Sequence, residues 1–195
     1  MSRRLQRKHG ISLTGLAIIL FVMVGQHYGW FTSAGKGMLT SQPGLYTIAH
    51  YVDGDTVAVD MNGSTETIRF IGVDTPETHK PNTPVQCYGP AAAAYTQNRI
   101  KNAGGKIRLV SDSLSTNRDR YNRLLRYAYL PDGTNLDEEL VAKGYAFAYV
   151  SFPFSKSDDF SAKQANARSQ ELGLWGNCRP YQESNGRWQS NNQAD

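Results

Sequence analysis

Two acids and an arginine, Asp55, Asp74 and Arg69, sit in a stretch otherwise rich in strand-forming residues. The stretch opens Asp53-Gly54-Asp55-Thr56-Val57 and ends Ile68-Arg69-Phe70-Ile71-Gly72-Val73-Asp74-Thr75-Pro76-Glu77. Carboxylates are hard oxygen ligands, and a guanidinium offers paired donors to a phosphate. Brought together, they would make a site for a hard cation and a phosphate. The elements between them predict that they meet. Asp53-Gly54 reads as a turn into a strand from Thr56 to Met61, and Asn62-Gly63 is the strongest short hairpin signal in the chain. The returning strand is expected over Thr65–Val73, stopped by Pro76, which cannot donate to a ladder. A hairpin places the start of its first strand beside the end of its second, so Asp55 and Asp74 share one end of the sheet. Alternation puts Arg69 on a face with Ile71 and Val73, and Ile68 and Phe70 on the other. A strand apolar on both faces is a covered wall, and an arginine there needs an anion to face. Taken singly, the acids also fit turn and strand-end chemistry, and the arginine an ordinary ion pair.

Further motifs follow at specific spacings: Tyr88-Gly89-Pro90, Asp119-Arg120-Tyr121-Asn122-Arg123 and Gly173-Leu174-Trp175. Together with Asp53-Gly54-Asp55-Thr56, Arg69 and Asp74-Thr75-Pro76-Glu77, they make the chain from Tyr46 to Trp175 resemble the staphylococcal (micrococcal) nuclease, or thermonuclease, family. The resemblance implies an α+β fold, a five-stranded OB-fold barrel carrying about three helices, whose barrel face binds oligonucleotides. It implies metal ligation by Asp55, Asp74 and the backbone carbonyl of Thr75, with water and a phosphate oxygen completing the shell. Few protein ligands, all of them oxygen, suit Ca²⁺ better than a soft-ligand metal. Glu77 is the candidate general base, and Arg69 and Arg123 are the candidate phosphate clamps. Arg120, Tyr121 and Tyr149 match positions that touch the bound nucleotide. Substrates would be DNA and RNA, cut with little sequence preference to leave 3′-phosphates. The sequence departs from the family pattern at Ser151, where a tyrosine is usual, and at Asn122, where glycine is usual. These departures bear on base stacking and turn geometry, not on the hydrolytic set.

Arg123 has neighbouring rivals in Arg118, Arg120 and Arg126. On a strand expected over Arg123–Leu130, Arg123 shares a face with Leu125, Tyr127 and Tyr129, while Arg126 points the other way. The other class of function compatible with this fold is a non-catalytic OB module that binds nucleic acid or protein. A degenerate member would be expected to lose acids or arginines, and this chain keeps all five.

The 195 residues predict one domain. The formal net charge of +4 is carried wholly by Arg3, Arg4, Arg7 and Lys8. Attraction for phosphate must therefore come from local placement. That basic head and the uncharged run Ile11–Gly25 read as an export signal, retained as a membrane-anchoring hydrophobic helix or cleaved after Ala34 to give a secreted or periplasmic form. Residues 1–35 form this segment, 36–45 a linker, 46–178 the nuclease-like domain and 179–195 a polar tail expected to be disordered. The rest of the patterned part predicts a first strand over Tyr46–Val52, a helix over Pro90–Lys101, a strand over Lys106–Val110 and a helix over Leu136–Lys143. A last helix is expected from Ser157 as N-cap to about Leu172. Thr78–Gln86, which contains His79, reads as an exposed loop beside the acids, either an ordinary surface loop or a flap. Export, an even cysteine count and no zinc spacing predict a Cys87–Cys178 disulfide, against two unpaired thiols. The chain is expected to be a monomer.

Overall fold

The computed structural model describes residues 44–78 and 83–193. The expected export segment and linker up to Pro43, and His79, lie outside them. Strand β1 (Leu45–Tyr51) pairs with β2 (Thr56–Met61), which turns through Asn62 and Gly63 into β3 (Ser64–Phe70). Both turn residues have positive φ, 55° and 85°, as a two-residue hairpin turn requires. The register runs from Met61 opposite Ser64 to Thr56 opposite Arg69. A short β4 (Val73–Asp74) follows, then α1 (Gly89–Asn102), β5 (Lys106–Val110), β6 (Leu124–Tyr129) and α2 (Leu136–Ala142). Next come β7 (Phe147–Ala148), α3 (Ser157–Ser169), α4 (Leu174–Asn177), β8 (Tyr181–Gln182) and β9 (Trp188–Gln189). The barrel closes in the order β1-β2-β3-β6-β5, with β3 and β6 parallel and the other pairs antiparallel. This is the closed five-stranded α+β barrel that the OB-like pattern predicts.

The core shows why one strand carries so many apolar residues. Ile68 and Phe70 lie inside with Val57, Val59, Ile107 and Leu124, while Ile71, Leu140, Phe154 and Phe160 fill the layer between barrel and helices. Among the described residues no helix is long and apolar enough to cross a membrane.

Four expectations need correction. The strand expected to run unbroken to Val73 stops at Phe70. Gly72 takes φ 73°, and a Cβ there would lie 2.5 Å from the Phe154 ring, so the chain turns sharply where only glycine fits. Val73–Asp74 restarts as β4 and pairs with β7 instead, and face parity does not carry through from Arg69 to Val73. The strand expected from Arg123 begins at Leu124, which leaves Arg123 in the preceding turn. Helix α3 has Lys156 at its N-cap and no side-chain cap bond, so Ser157 is its first helical residue. Finally, the tail expected to be disordered forms the β8–β9 hairpin. Trp188 makes a T-shaped contact with Trp175 at 5.1 Å, Arg168 lies over its ring at 4.7 Å, and Ser190 is buried. Polarity of composition hid a single well-placed tryptophan, and one large aromatic buries enough area to fix a short hairpin.

Candidate active site

Asp55 stands at the mouth of β2, where the backbone must turn tightly. The side chain of Asp53 accepts the amide of Asp55 (3.1 Å). Gly54 lies against Thr75: a Cβ on it would meet Thr75 Cγ2 at 2.7 Å. The Gly54 carbonyl also accepts the buried Thr96 hydroxyl of α1 (2.6 Å). Asp-Gly-Asp is therefore a packing requirement as well as a turn signal. Asp55 Oδ2 accepts the amide (2.8 Å) and hydroxyl (3.0 Å) of Thr75, and Oδ1 accepts the Thr56 hydroxyl (2.9 Å).

Arg69 is brought between the two acids by the hairpin register. Its Nη2 lies 3.2 Å from Asp55 Oδ2 and 3.2 Å from Asp74 Oδ1, and its Nη1 donates to the Val73 carbonyl (2.7 Å). The side chain is 12% exposed. Burial works against its charge, but Asp55, Asp74 and Asp53 outweigh that and raise its pKa. Burial pushes Asp74 above the usual carboxylate range, against the pull of Arg69. Asp53 is pushed up to about 7, first by burial and then by the charge of Asp55. Asp53, Asp55 and Asp74 crowd the buried Arg69, and Asp74 is also held by Arg187, so the acids share their cations.

The donor set fits a hard cation. Oxygens of Asp55 and Asp74 converge on one positively charged atom, Arg69 Nη2, and the Thr75 backbone lies against Asp55. The carboxylates are hard oxygen donors, as Ca²⁺ takes, while the Thr75 backbone faces Asp55 with its amide. Among the described residues no group of three or more His, Cys, Asp or Glu forms a metal cage, so water and substrate oxygens would fill the rest of a coordination shell.

Glu77 follows two residues after Thr75. Its amide donates to Gln86 Oε1 (2.8 Å), its carbonyl accepts the Gln86 amide (2.9 Å), and its carboxylate accepts the Thr78 amide (3.0 Å). Gly89 lets this turn pack down, since a Cβ there would lie 2.8 Å from the Glu77 carbonyl oxygen. Pro76 follows the end of β4, and Gln86 holds the segment at Glu77 through both backbone groups.

Arg123 is positioned by Asp119 rather than by strand parity. Asp119 Oδ1 accepts the amides of Tyr121 (2.9 Å) and Arg123 (3.0 Å). Its Oδ2 holds Arg123 Nε (2.8 Å) and Nη2 (2.7 Å). Arg123 Nη1 reaches the Thr56 hydroxyl at 3.5 Å, and Thr56 in turn donates to Asp55. Asn122 has φ 64°, a conformation asparagine tolerates better than most residues, so it can stand in this turn where glycine is usual. Arg120 lies over the Tyr121 ring and donates to its hydroxyl (2.7 Å), and Tyr121 is 65% exposed. Tyr149 is tied through its amide to the Gly72 carbonyl (2.8 Å) and leans on Phe152.

The structure thus gathers Asp55, Asp74, Thr75 and Arg69 directly, and links Arg123 to them through Thr56. Arg120 and Tyr121 extend that side. Cys87 and Cys178 are bonded to each other, with Cα atoms 5.9 Å apart. Sequence reasoning missed Asp53, Asp119, Gln86 and Arg187. Arg187 donates to Asp74 Oδ2 from Nη2 (2.7 Å) and Nε (3.1 Å). A signal existed in the Arg187-Trp188 pair, an aromatic anchor in an otherwise polar tail.

Residues 67–177 match the family model described as Staphylococcal nuclease homologue. The chain belongs to the staphylococcal nuclease family. A thermonuclease of Staphylococcus hyicus is 36% identical over 171 residues, 84% of this chain and 97% of that protein. A thermonuclease of Staphylococcus intermedius is 35% identical over 161 residues, 82% of this chain and 93% of that one. The SPbeta prophage-derived endonuclease YokF of Bacillus subtilis is 40% identical over 131 residues, 66% of this chain but 43% of that longer protein. In this member of the family, the matched region takes in Arg69, Asp74, Thr75, Glu77, Arg120, Tyr121, Arg123 and Tyr149 and leaves out Asp55.

Proposed function

We propose that this staphylococcal nuclease family member is a Ca²⁺-dependent endonuclease that hydrolyses DNA and RNA with little sequence preference and leaves 3′-phosphates. That it is a nuclease, a hydrolase of phosphodiester bonds, follows from its family. The observation that carries the finer reading is the convergence of Asp55 and Asp74 on Arg69 Nη2, at 3.2 Å each. Carboxylates placed that close in a largely buried site favour a hard divalent cation, and the guanidinium beside them is left to face a phosphate.

Each residue then has a task. Asp55, Asp74 and the Thr75 carbonyl would hold Ca²⁺, which supplies Lewis-acid stabilisation of charge on a phosphoryl oxygen. Glu77 takes the proton of the attacking water, and its turn is kept in place by Gln86. Arg69 and Arg123 donate to the non-bridging oxygens as charge builds there. Arg123 is held ready by Asp119, so little reorganisation is needed when substrate arrives. Arg120, Tyr121 and Tyr149 hold the flanking nucleotide. We place the protein outside the cytoplasm, anchored or released. The Cys87–Cys178 bond supports this, because disulfides persist in oxidising compartments.

Incubation of single-stranded DNA with the protein, in Ca²⁺ or in EDTA, tests the assignment. Ca²⁺-dependent cleavage to 3′-phosphate ends is expected. Binding without cleavage would replace the enzyme by a nucleic-acid-binding module.

A further inference from the structure

Arg187 lies ten residues beyond the family match, on the hairpin that closes the C-terminal part of the described chain. Its guanidinium reaches back to Asp74 Oδ2 and lies over the Tyr149 ring at 5.1 Å. Its side chain is 39% exposed, so one side faces the site and the other faces solvent. We propose that Arg187 is a substrate-positioning residue that holds a phosphate next to the scissile one, so that the site takes a polynucleotide strand and discriminates against a single isolated phosphodiester. The proposal rests on the nuclease reading above and deepens it.

Three observations carry it. The first is that the hairpin is built into the site rather than draped over it. Trp188 packs against both Trp175 and Arg168. The Ser190 hydroxyl donates to the Cys87 carbonyl (2.9 Å), and the Cys87 amide donates to the Asn191 carbonyl (2.8 Å). Gln86 Nε2 donates to Gln189 Oε1 (3.1 Å), and the same Gln86 holds the Glu77 turn. A guanidinium fixed this way loses little freedom on meeting an anion.

The second observation is competition at Asp74. Its Oδ1 faces Arg69 and its Oδ2 faces Arg187. Oδ2 cannot serve Arg187 and a divalent cation equally well. Exchange of Asp74 for a phosphate oxygen leaves Arg187 paired and frees Asp74 for ligation.

The third is a matched arrangement on the two sides. Arg120 lies over Tyr121 at 4.8 Å, next to Arg123, and Arg187 lies over Tyr149, next to Asp74. Each pair offers a ring for a base and a guanidinium for a phosphate, the combination used for single strands. One pair is linked to Arg69 through Arg123, Thr56 and Asp55 and the other through Asp74, and two such pairs suit a substrate longer than one phosphodiester.

The test compares the full-length wild-type chain with Arg187→Ala and Arg187→Lys on two substrates, a single-stranded DNA 12-mer and a dinucleoside monophosphate. On the 12-mer, Arg187→Ala is expected to raise KM about ten-fold with kcat changed less than about three-fold, and lysine to restore part of the loss. On the dinucleotide, in saturating Ca²⁺, the loss in kcat/KM should be at least about five-fold smaller than on the 12-mer. Fluorescence anisotropy of a labelled 12-mer in EDTA should show the same roughly ten-fold weakening without any turnover. Thermal melting checks that the variants fold, and the lysine variant carries the test if alanine does not. Equal losses on both substrates, or none on either, would overturn the proposal and leave Arg187 as a brace for Asp74. Faster cleavage at limiting Ca²⁺ with unchanged anisotropy would overturn it in favour of a plug. If wild type cleaves neither substrate, the nuclease reading fails, and the anisotropy comparison still decides whether Arg187 holds phosphate.

Discussion

Asp55 and Asp112 are both nearly buried, 4% and 8% exposed, and both accept several hydrogen bonds, yet only one stands in a site. Asp112 receives the amide of Leu114 (2.8 Å), the amide of Ser155 (2.9 Å), the Ser155 hydroxyl and the Tyr127 hydroxyl (2.9 Å). Burial alone would raise its pKa, but those donors outweigh it and hold the carboxyl down to about 2. Its charge is met by neutral donors, and the result is a pin between barrel and helix layer. Around Asp55 the donors are joined by Arg69, and two further acids, Asp53 and Asp74, crowd the same arginine. A buried carboxylate with enough donors stabilises the fold. Carboxylates that share charged partners, as Asp55 and Asp74 share Arg69, can exchange them for a ligand from outside.

The sharpest way to break the comparison is at Glu77. Glu77→Gln keeps the shape and removes the basic oxygen. Turnover on single-stranded DNA should fall by about two or more orders of magnitude, while Ca²⁺ binding, followed by calorimetry, largely survives. Arg123→Lys should cost a similar factor in kcat, because lysine keeps the charge and loses the paired donors. Loss of Ca²⁺ binding in the glutamine variant would put Glu77 among the ligands.

Asp55→Ala should act on a different quantity. It removes a proposed ligand, so apparent Ca²⁺ affinity should fall first, and added Ca²⁺ should restore part of the rate. A rate loss that no Ca²⁺ concentration relieves would assign Asp55 to the chemistry instead.

Asp112→Asn is the counterpart, with its effect on stability. The folded pKa lies below the unfolded value, so the stabilisation is present above about pH 4 and is lost as pH falls through about 2. A depression of that size corresponds to about 2 kcal/mol. The variant should lose roughly that much at neutral pH in denaturant melts and show a flatter acid limb. Its kcat at low temperature should match wild type. A variant as stable as wild type would show that the four donors find other partners.

Much of this was legible in the residues. Asp55, Arg69 and Asp74 are joined by one hairpin, and a hairpin with Asn62-Gly63 at its tip has a register that local chemistry fixes. The Cys87–Cys178 bond agrees with an even cysteine count and the absence of zinc spacing. What stayed hidden depended on contacts distant in sequence. Gly72 breaks a strand because Phe154, far along the chain, occupies the space of its Cβ. Arg187 reaches Asp74 across 113 positions, and a tail of Asn, Gln and Ser gives no periodicity to announce a hairpin. Arg123 was identified by its motif, but strand alternation did not place it. Asp119 does, through bonds made entirely within a turn.

Arg126 separates those two accounts of Arg123, and the effect expected there is the smallest. Arg126 is on β6 opposite Phe70, and its guanidinium turns to the Leu125 carbonyl (2.7 Å) and Asn117 Oδ1 (2.7 Å). Both are neutral acceptors, one on β6 itself and one in the loop leading to it. Burial and the nearby Arg118 charge lower its pKa, so it gains no stabilisation from a paired acid. Lysine at this position keeps the charge and can make one of the two bonds, at a cost of about 1 kcal/mol or less in stability. Since Arg126 bonds none of the site residues, kcat and KM on single-stranded DNA should stay within about two-fold of wild type. Arg123→Lys, three residues away with the same change of charge geometry, should not. If Arg126→Lys is crippled and Arg123→Lys is not, the guanidinium facing the phosphate comes from the strand, and the Asp119 turn is only a brace.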